Sequence, residues 1–284
     1  MKQFIFRSLR EDDIDQMYIA FQSAFSDYSL NFNMTKEEFI QKFVRKLGID
    51  YSHSFGAFHE EELVGFIFKT IDNYQGRKSA FNGGTGVVPA FRGNHITAHL
   101  YEKAIPVFKA NNVEQCVLEV LTDNERAQKV YQSIGFKTHR YFLCFKLLKK
   151  PNLSKPPLFK IEKISNPDWN LLQKFSDYSP SFLDIQSMLK RNIANEKVIV
   201  LSENDMPLAF AIYQNNGRLS QIAVDKSNRG RGAGSALIDY IYKDVNKKHL
   251  TVINVDKNAS EMISFLEKLG FENQVDQYEM ILTL

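Results

Sequence analysis

The chain repeats itself, and that repeat constrains its fold more than any other feature. Arg92-Gly93 recurs as Arg229-Gly230, 137 residues on, and Gly135-Phe136 recurs as Gly270-Phe271, 135 residues on. A two-residue drift between the anchors is what short loop insertions or deletions produce. Two copies of one plan imply two cores, and a length of 284 residues agrees with that, since single domains run to ~100–150 residues. Between the copies Lys149–Pro157 reads KKPNLSKPP, with three prolines and no apolar periodicity, as an extended tether does. The expected organisation is therefore a first domain over 1–148, a linker over 149–157 and a second domain over 158–284.

Each copy shows the same order: a strand, one or two helices, two strands joined by a turn, a third strand ending in a charged loop, a helix, a strand, a helix and a strand pair. In the first, Phe4–Leu9 alternates as a strand and Asp12–Phe25 has helical spacing. Thr35 heads a second helix with Glu38 as its capping-box partner. Ser54–His59 and Leu63–Thr70 flank an acidic turn as hairpin strands. In the second, Phe159–Ile164 opens the copy and Asp168–Ser176 is helical. Val198–Glu203 and Leu208–Tyr213 form its hairpin, around an Asn204–Pro207 turn.

Hydrophobic residues at 44% and charged residues at 24% are those of a water-soluble globular chain. No apolar stretch approaches the ~20 residues that span a bilayer. Arg7, Arg10, Glu11, Asp12 and Asp13 stand where a secretory signal would need an apolar run, so the expected location is the cytoplasm. Cys116 and Cys144 each sit in an apolar strand-like run and read as reduced core thiols. A net charge of +3 comes from scattered Lys and Arg, which argues against nucleic acid as a partner; no membrane partner is expected either, and the oligomeric state is left open.

The chemistry-bearing segment of the second copy is Arg229-Gly230-Arg231-Gly232-Ala233-Gly234, between the apolar strand Ile222-Ala223-Val224 and the helical run Ser235–Lys243. A strand feeding a glycine-rich turn at a helix start points several backbone N–H groups and the positive helix end at one spot, which suits a diphosphate. It lacks the Gly-Lys-Ser/Thr ending of a P-loop and the glycine spacing of a dinucleotide-binding turn. Arg-x-x-Gly-x-Gly in this context resembles the pyrophosphate loop of the GNAT family of N-acetyltransferases. The resemblance implies an α/β fold of the mixed-sheet kind, with two fused GNAT-type acyl-CoA N-acyltransferase domains, each sheet splayed where acetyl-CoA inserts. It further implies that the loop amides of Arg229–Gly234 hold the coenzyme A pyrophosphate while Ala223 and Val224 pair with the pantetheine arm.

The first copy carries Val87-Val88-Pro89-Ala90-Phe91-Arg92-Gly93-Asn94-His95-Ile96-Thr97, which resembles the same loop with both later glycines replaced, by His95 and Thr97. Backbone amides survive such changes, so coenzyme A binding through Val87, Val88, Arg92, Gly93, Asn94, His95, Ile96 and Thr97 is expected there in weakened or shifted form. Further on, Leu118-Glu119-Val120 followed by Asn124, Ala127, Tyr131 and Gly135-Phe136 resembles the strand-to-helix motif of the branch that acetylates the alanine of a ribosomal protein. That resemblance implies Glu119 as general base, directly or through water, Tyr131 as general acid, and Asn124 as a cofactor contact. The chemistry needs both roles: an amine of pKa near ~10 must lose a proton, and a thiolate of pKa ~8.5 leaves more readily if protonated. Purely structural readings would make Tyr131 a packing aromatic and Glu119 a solvated strand end. The thioester carbonyl would be polarised by backbone N–H groups near Gly86–Val88.

The second copy departs at these places: the base position is Asn254, the asparagine position Ala259 and the tyrosine position Leu266. Asp256, two residues past Asn254, would share its strand face and could substitute as base. His95 and His99 have the i, i+4 spacing of metal ligands but no third ligand nearby, so no metal is expected. Phe21, Phe25, Tyr28 and Phe32 read as core, with Tyr28 the candidate acceptor contact because the loop after the first helix shapes the acceptor pocket in the family. The reaction read from these features is acetyl transfer from acetyl-CoA to a small-molecule or peptide amine. Alternatives are a non-catalytic acyl-CoA sensor or scaffold, or an aminoacyl transferase using charged tRNA. Retention of the Arg229–Gly234 cradle argues against the last, and the acceptor itself sits in variable loops that the sequence does not identify.

Overall fold

The structure is a computed structural model that describes residues 3–27, 32–152, 159–245 and 249–284. Tyr28 and the tether residues 153–157 fall outside these. The chain divides into two compact units, the first comprising Met1–His139 with Glu279–Leu284 and the second Arg140–Tyr278. Against the expected contiguous stretches 1–148 and 158–284, residues 140–148 are grouped with the second unit and the last six residues with the first.

The first unit runs β1 (Ile5–Ser8), α1 (Ile14–Ala24), α2 (Lys36–Phe39), β2 (Phe55–His59), β3 (Glu62–Tyr74), β4 (Arg77–Val87), α3 (Ile96–Ala110), β5 (Gln115–Leu121) and α4 (Glu125–Ile134). Helix α1 forms because Met17, Ala20, Phe21 and Ala24 recur at helical spacing and bury one face. Thr35 and Glu38 make the expected reciprocal cap of α2, each side chain accepting the other's backbone N–H, at 3.2 and 2.7 Å. Strands β1–β4 are antiparallel, β4 and β5 parallel, and Leu284 N–H donates to the Glu114 carbonyl at 3.0 Å beside β5. One face packs Phe21, Phe39, Phe43, Phe66 and Phe68, with ring centroids as close as 4.2 Å. The same α3 buries Leu100, Tyr101, Ala104 and Phe108.

The strand that follows α4, β6 (Lys137–Leu147), pairs from Phe142 onward within the second unit. That unit continues with β7 (Lys160–Lys163), α5 (Trp169–Lys174), α6 (Gln186–Arg191), β8 (Lys197–Glu203), β9 (Met206–Tyr213), β10 (Arg218–Val224), α7 (Ala233–Asp244), β11 (Leu250–Asp256), α8 (Ser260–Lys268) and β12 (Glu272–Thr283), whose residues from Glu279 are grouped with the first unit. Its order β7-β8-β9-β10-β11-β6 is antiparallel except for the parallel β10–β11 pair, so each unit carries a mixed sheet. Leu237, Ile238 and Ile241 of α7 share a core with Ile199, Leu201, Ala209 and Ala211. Leu172, Phe175 and Leu189 pack with Phe210 and Ile212 in a second cluster. Side chains of successive strand residues point to opposite faces, which separates Ala209 and Ala211 from Phe210 and Ile212.

What positions the site is a place where parallel strands part. In the first unit β4 and β5 pair only at Ser79–Gln115, Ala80–Cys116 and Phe81–Val117. In the second, β10 and β11 pair only at Arg218–Thr251 and Leu219–Val252. The register of β4 against β3 slips at Gly83, and that of β10 against β9 slips at Ser220, again 137 residues apart. A bulge bends its strand and turns the ladder, so both copies leave the parallel pairing at the same point of the plan.

Candidate functional site

In the second unit the parted strands open a cleft of about 480 Å³. Ile222 and Val224 of β10, Gly230 and Gly232 of the loop, and Asn254 and Asp256 of β11 line it. Leaving β10, the Asp225 carboxylate accepts the Ser227 N–H at 2.9 Å and fixes the turn. Gly230 and Gly232 then take left-handed backbone, φ 75° and 88°, and α7 starts at Ala233. Such φ values favour glycine. A side-chain carbon at Gly230 would meet nothing within 4 Å, so the loop backbone is open on that side. Gly234 has another reason to be glycine: a Cβ there would stand 3.0 Å from the Phe265 ring of α8. The amide supply is ordered too. Asp225 N–H donates to the Leu208 carbonyl at 2.8 Å, and because backbone groups alternate along a strand, the Val224 N–H faces the gap.

The first unit keeps this backbone without its glycines. Gly93 has φ 84° and His95, in the place of Gly232, is held left-handed at φ 54° as the residue before α3. Val88 N–H donates to the Val64 carbonyl at 2.9 Å, so of the amides expected to polarise a carbonyl near Gly86–Val88 this one is engaged, and Val87 faces the gap. Asn94 folds its amide onto the Phe91 carbonyl at 2.9 Å, Ile96 is buried, and Thr97 opens the first turn of α3.

The loop arginines have the same job in both units. Arg92 Nε donates to the Val87 carbonyl and Arg229 Nε to the Val224 carbonyl, each at 3.2 Å. The Arg92 guanidinium then grips Asp27, at 2.5 and 2.8 Å, while that of Arg229 grips Asp177 and, at 2.9 Å, Glu261. Each tether joins the loop after the unit's first helix to the end of its third hairpin-side strand. Arg231 is bound to Glu203 by two 2.8 Å contacts. Sequence reading placed these arginines beside the cofactor; their side chains bind protein carboxylates. Asp27 and Asp177 were not singled out, and their only sequence signal is an acid shortly after the first helix of each copy.

Glu119 is half-buried in β5, and Tyr131 is the buried residue of α4, its ring edge-on to Phe136 at 5.7 Å. Asn124 Oδ1 accepts the Ala127 N–H at 3.1 Å and caps α4. Beside Tyr131 lies a cluster that sequence reading passed over. Lys69, within the apolar run of β3, is fully buried and donates to Tyr101 Oη at 2.7 Å. Burial pushes its ammonium down to about 8, and pushes the nearby Cys116 thiol up to about 11. Its signal was a single charge in LVGFIFKTI. Both cysteines are free and buried.

In the second unit Leu266 is buried core, Ala259 is buried, and Asn254 lies on the cleft wall with φ 60°. The register of β11 slips between Val252 and Val255, so simple alternation does not relate Asn254 to Asp256, although both reach the cleft. Asp256 accepts the Asn258 N–H at 2.9 Å and faces Arg140 at 3.7 Å. His99 pairs with Glu102 at 3.0 Å. Among the described residues no group of three or more His, Cys, Asp or Glu is placed to hold a metal, and no helix is long and apolar enough to cross a membrane.

Comparison with known proteins follows the same division. Residues 8–136 match the Acetyltransferase (GNAT) family and residues 171–280 an Acetyltransferase (GNAT) domain. No curated protein matches the chain. Among solved structures, a GCN5-related N-acetyltransferase from Sphaerobacter thermophilus superimposes with a TM-score of 0.72 at 13% identity, over 99% of this chain and 95% of that one. A tandem GNAT protein from the clavulanic acid biosynthesis pathway gives 0.72 at 12% identity, over 99% and 98%. A GCN5-related N-acetyltransferase from Anabaena variabilis gives 0.65 at 12%, over 98% and 72%. At these identities the likeness is one of fold.

Proposed function

Because the chain belongs to the GNAT acetyltransferase family, with two of its domains in tandem, we propose that it is an acetyl-CoA-dependent N-acetyltransferase acting on a primary amine of a small molecule or peptide. The observation that carries this reading is the second unit's cleft. Parted parallel strands lead into a left-handed glycine loop at the start of a 12-residue helix. Loop amides and the positive helix end suit a diphosphate, and the gap-facing Val224 N–H suits an extended amide arm. The first unit offers the same backbone through Gly93 and His95.

Acetyl-CoA would supply the activated acyl group. The protein's own part is assigned to the first unit: Glu119, directly or through one water, takes the proton of the attacking amine, and Tyr131 gives one to the departing thiolate. Direct attack forms the C–N bond as the C–S bond breaks, and the two proton transfers leave a neutral amide and a free thiol. A buried tyrosine against Phe136 is held in one orientation, as a proton donor must be. A cytoplasmic location, a small-molecule or peptide amine as acceptor, and no nucleic-acid or membrane partner belong to the same reading.

Thiol release from acetyl-CoA, followed across a panel of amines, tests it. Turnover with at least one amine is expected, and a panel without turnover, in a protein that still binds coenzyme A, would replace the enzyme with an acyl-CoA sensor. Gly232→Asp places a negative charge in the cradle, at a φ of 88° that favours glycine, and should weaken coenzyme A binding by calorimetry on the full chain.

A further inference from the structure

Asn254 occupies the position that Glu119 holds in the first copy, and its chemistry is opposite. A carboxylate takes a proton; a side-chain amide offers hydrogen-bond donors and takes none. Its surroundings settle which end is used for what. Asn254 Oδ1 accepts from Gln277 Nε2 at 3.0 Å and lies 3.8 Å from Cys144 Sγ, while the Asn254 N–H points at the same sulfur at 3.5 Å. With the oxygen and backbone held from that side, Nδ2 is turned away from them. It is buried and meets no acceptor among the described residues. Asn254 is 7% exposed, lines the cleft between β10 and β11, and sits at φ 60° in a strand whose register slips there. A buried donor without a partner is costly to fold, and left-handed backbone in a strand adds to that cost. Both costs concentrate on one residue of the cleft wall.

From this geometry we infer that Asn254 Nδ2 is a recognition donor for a carbonyl oxygen of acyl-coenzyme A in the second unit, and so a specificity residue rather than a base. The inference rests on the reading of that cleft as an acyl-CoA site. Two carbonyls of the ligand share the chemistry, the thioester carbonyl and an amide carbonyl of the pantetheine arm. An amide has no proton affinity near neutral pH, so Asn254 does not take over the base role that Glu119 is given in the first copy.

The experiment is calorimetric titration of the full chain with acetyl-CoA and, separately, with coenzyme A. Asn254→Asp keeps the shape, the tolerance of left-handed backbone and the acceptor toward Gln277, and puts a charged carboxylate oxygen in place of the donor. Asn254→Gly removes the side chain at the same φ without adding charge. Both variants are checked for an unchanged melting temperature, and Gly232→Asp identifies the heat that belongs to the second unit. The expected result is a fivefold to tenfold loss of affinity in both variants. Loss for acetyl-CoA alone assigns the thioester carbonyl, and equal loss for both ligands assigns the pantetheine arm. Folded variants that bind both ligands like the parent, while Gly232→Asp abolishes the second-unit heat, overturn the inference and leave the cleft assignment standing. If Gly232→Asp changes nothing, the cleft assignment itself fails.

Discussion

Lys69 Nζ lies 2.7 Å from Tyr101 Oη, with both side chains fully buried and the ammonium 4.5 Å above the ring. The cation is offset by a hydroxyl and a ring face rather than by a carboxylate, which is why burial pulls its pKa down to about 8. The unfolded chain, with a lysine near ~10.4, therefore binds more protons than the folded one between those values, and stability rises with pH through that window. Between pH 8 and 9 the gain should be on the order of 1 kcal/mol. Cys116, raised by burial to about 11 with Lys69 holding it down in part, pulls the other way as pH rises past the ordinary thiol value. Lys69→Met should abolish the rise between pH 8 and 9 in urea titrations. An unchanged slope would show that the buried ammonium is not its source.

The loop arginines give a second expectation. Arg229 is committed to Asp177, Glu261 and the Val224 carbonyl, so its charge is already answered within the protein. Arg229→Met should cost roughly 1–2 kcal/mol of stability through the loosened Asp177 loop, and reduce coenzyme A affinity less than about tenfold. Arg92→Met should do the same for the first unit through Asp27. A hundredfold affinity loss at unchanged melting temperature would instead put the guanidinium on the ligand.

Gly234 separates the packing role of a glycine from its binding role. A Cβ here would press on Phe265 at 3.0 and 3.1 Å, whereas one at Gly230 would meet open space. Gly234→Val should therefore destabilise the chain by about 1–3 kcal/mol in denaturant, by overpacking α7 on α8. Combining it with Phe265→Leu should return part of the loss, and failure of that rescue would remove Phe265 as the cause.

These features show what local sequence encodes and what it leaves to the assembled chain. The Thr35–Glu38 cap and the glycine loop before α7 are written in neighbouring residues and were legible, whereas the turn expected over Asn204–Pro207 closes to Asn204–Asp205, with Met206 and Pro207 paired in β9. The partners of the arginines were not, because Asp27 lies 65 residues from Arg92 and Asp177 lies 52 from Arg229. An arginine beside glycines looks like a phosphate ligand until its carboxylate is seen. Strand membership is equally non-local: nothing in residues 140–147 or 279–284 marks which compact unit takes them. The bulges at Gly83 and Ser220 were hidden because one is a glycine and the other is not, although both divert the same strand. Lys69 was legible only as an anomaly, a charge in an apolar run whose burial the pattern implied without naming its partner.

The catalytic assignment gives the last expectation, and it compares the two units. Tyr131 is 8% exposed and packs on Phe136, so Tyr131→Phe keeps the ring contact and removes only the hydroxyl. Turnover should fall by ~10²-fold or less with little change in melting temperature, because the lost group acts on the leaving thiolate and not on the fold. Glu119→Gln keeps the shape and cannot accept a proton; its loss should be partly recovered at high pH, where more of an amine of pKa near ~10 is already neutral. Leu266 holds the Tyr131 position in the second unit as fully buried core, so Leu266→Ala should cost about 2–5 kcal/mol of stability and leave the pH profile of turnover unchanged. If Tyr131→Phe and Glu119→Gln turn over like the parent while Gly232→Asp abolishes activity, the chemistry belongs to the second unit. His95, which holds a left-handed turn where the second unit has Gly232, is the structural reason to run both arms of that comparison.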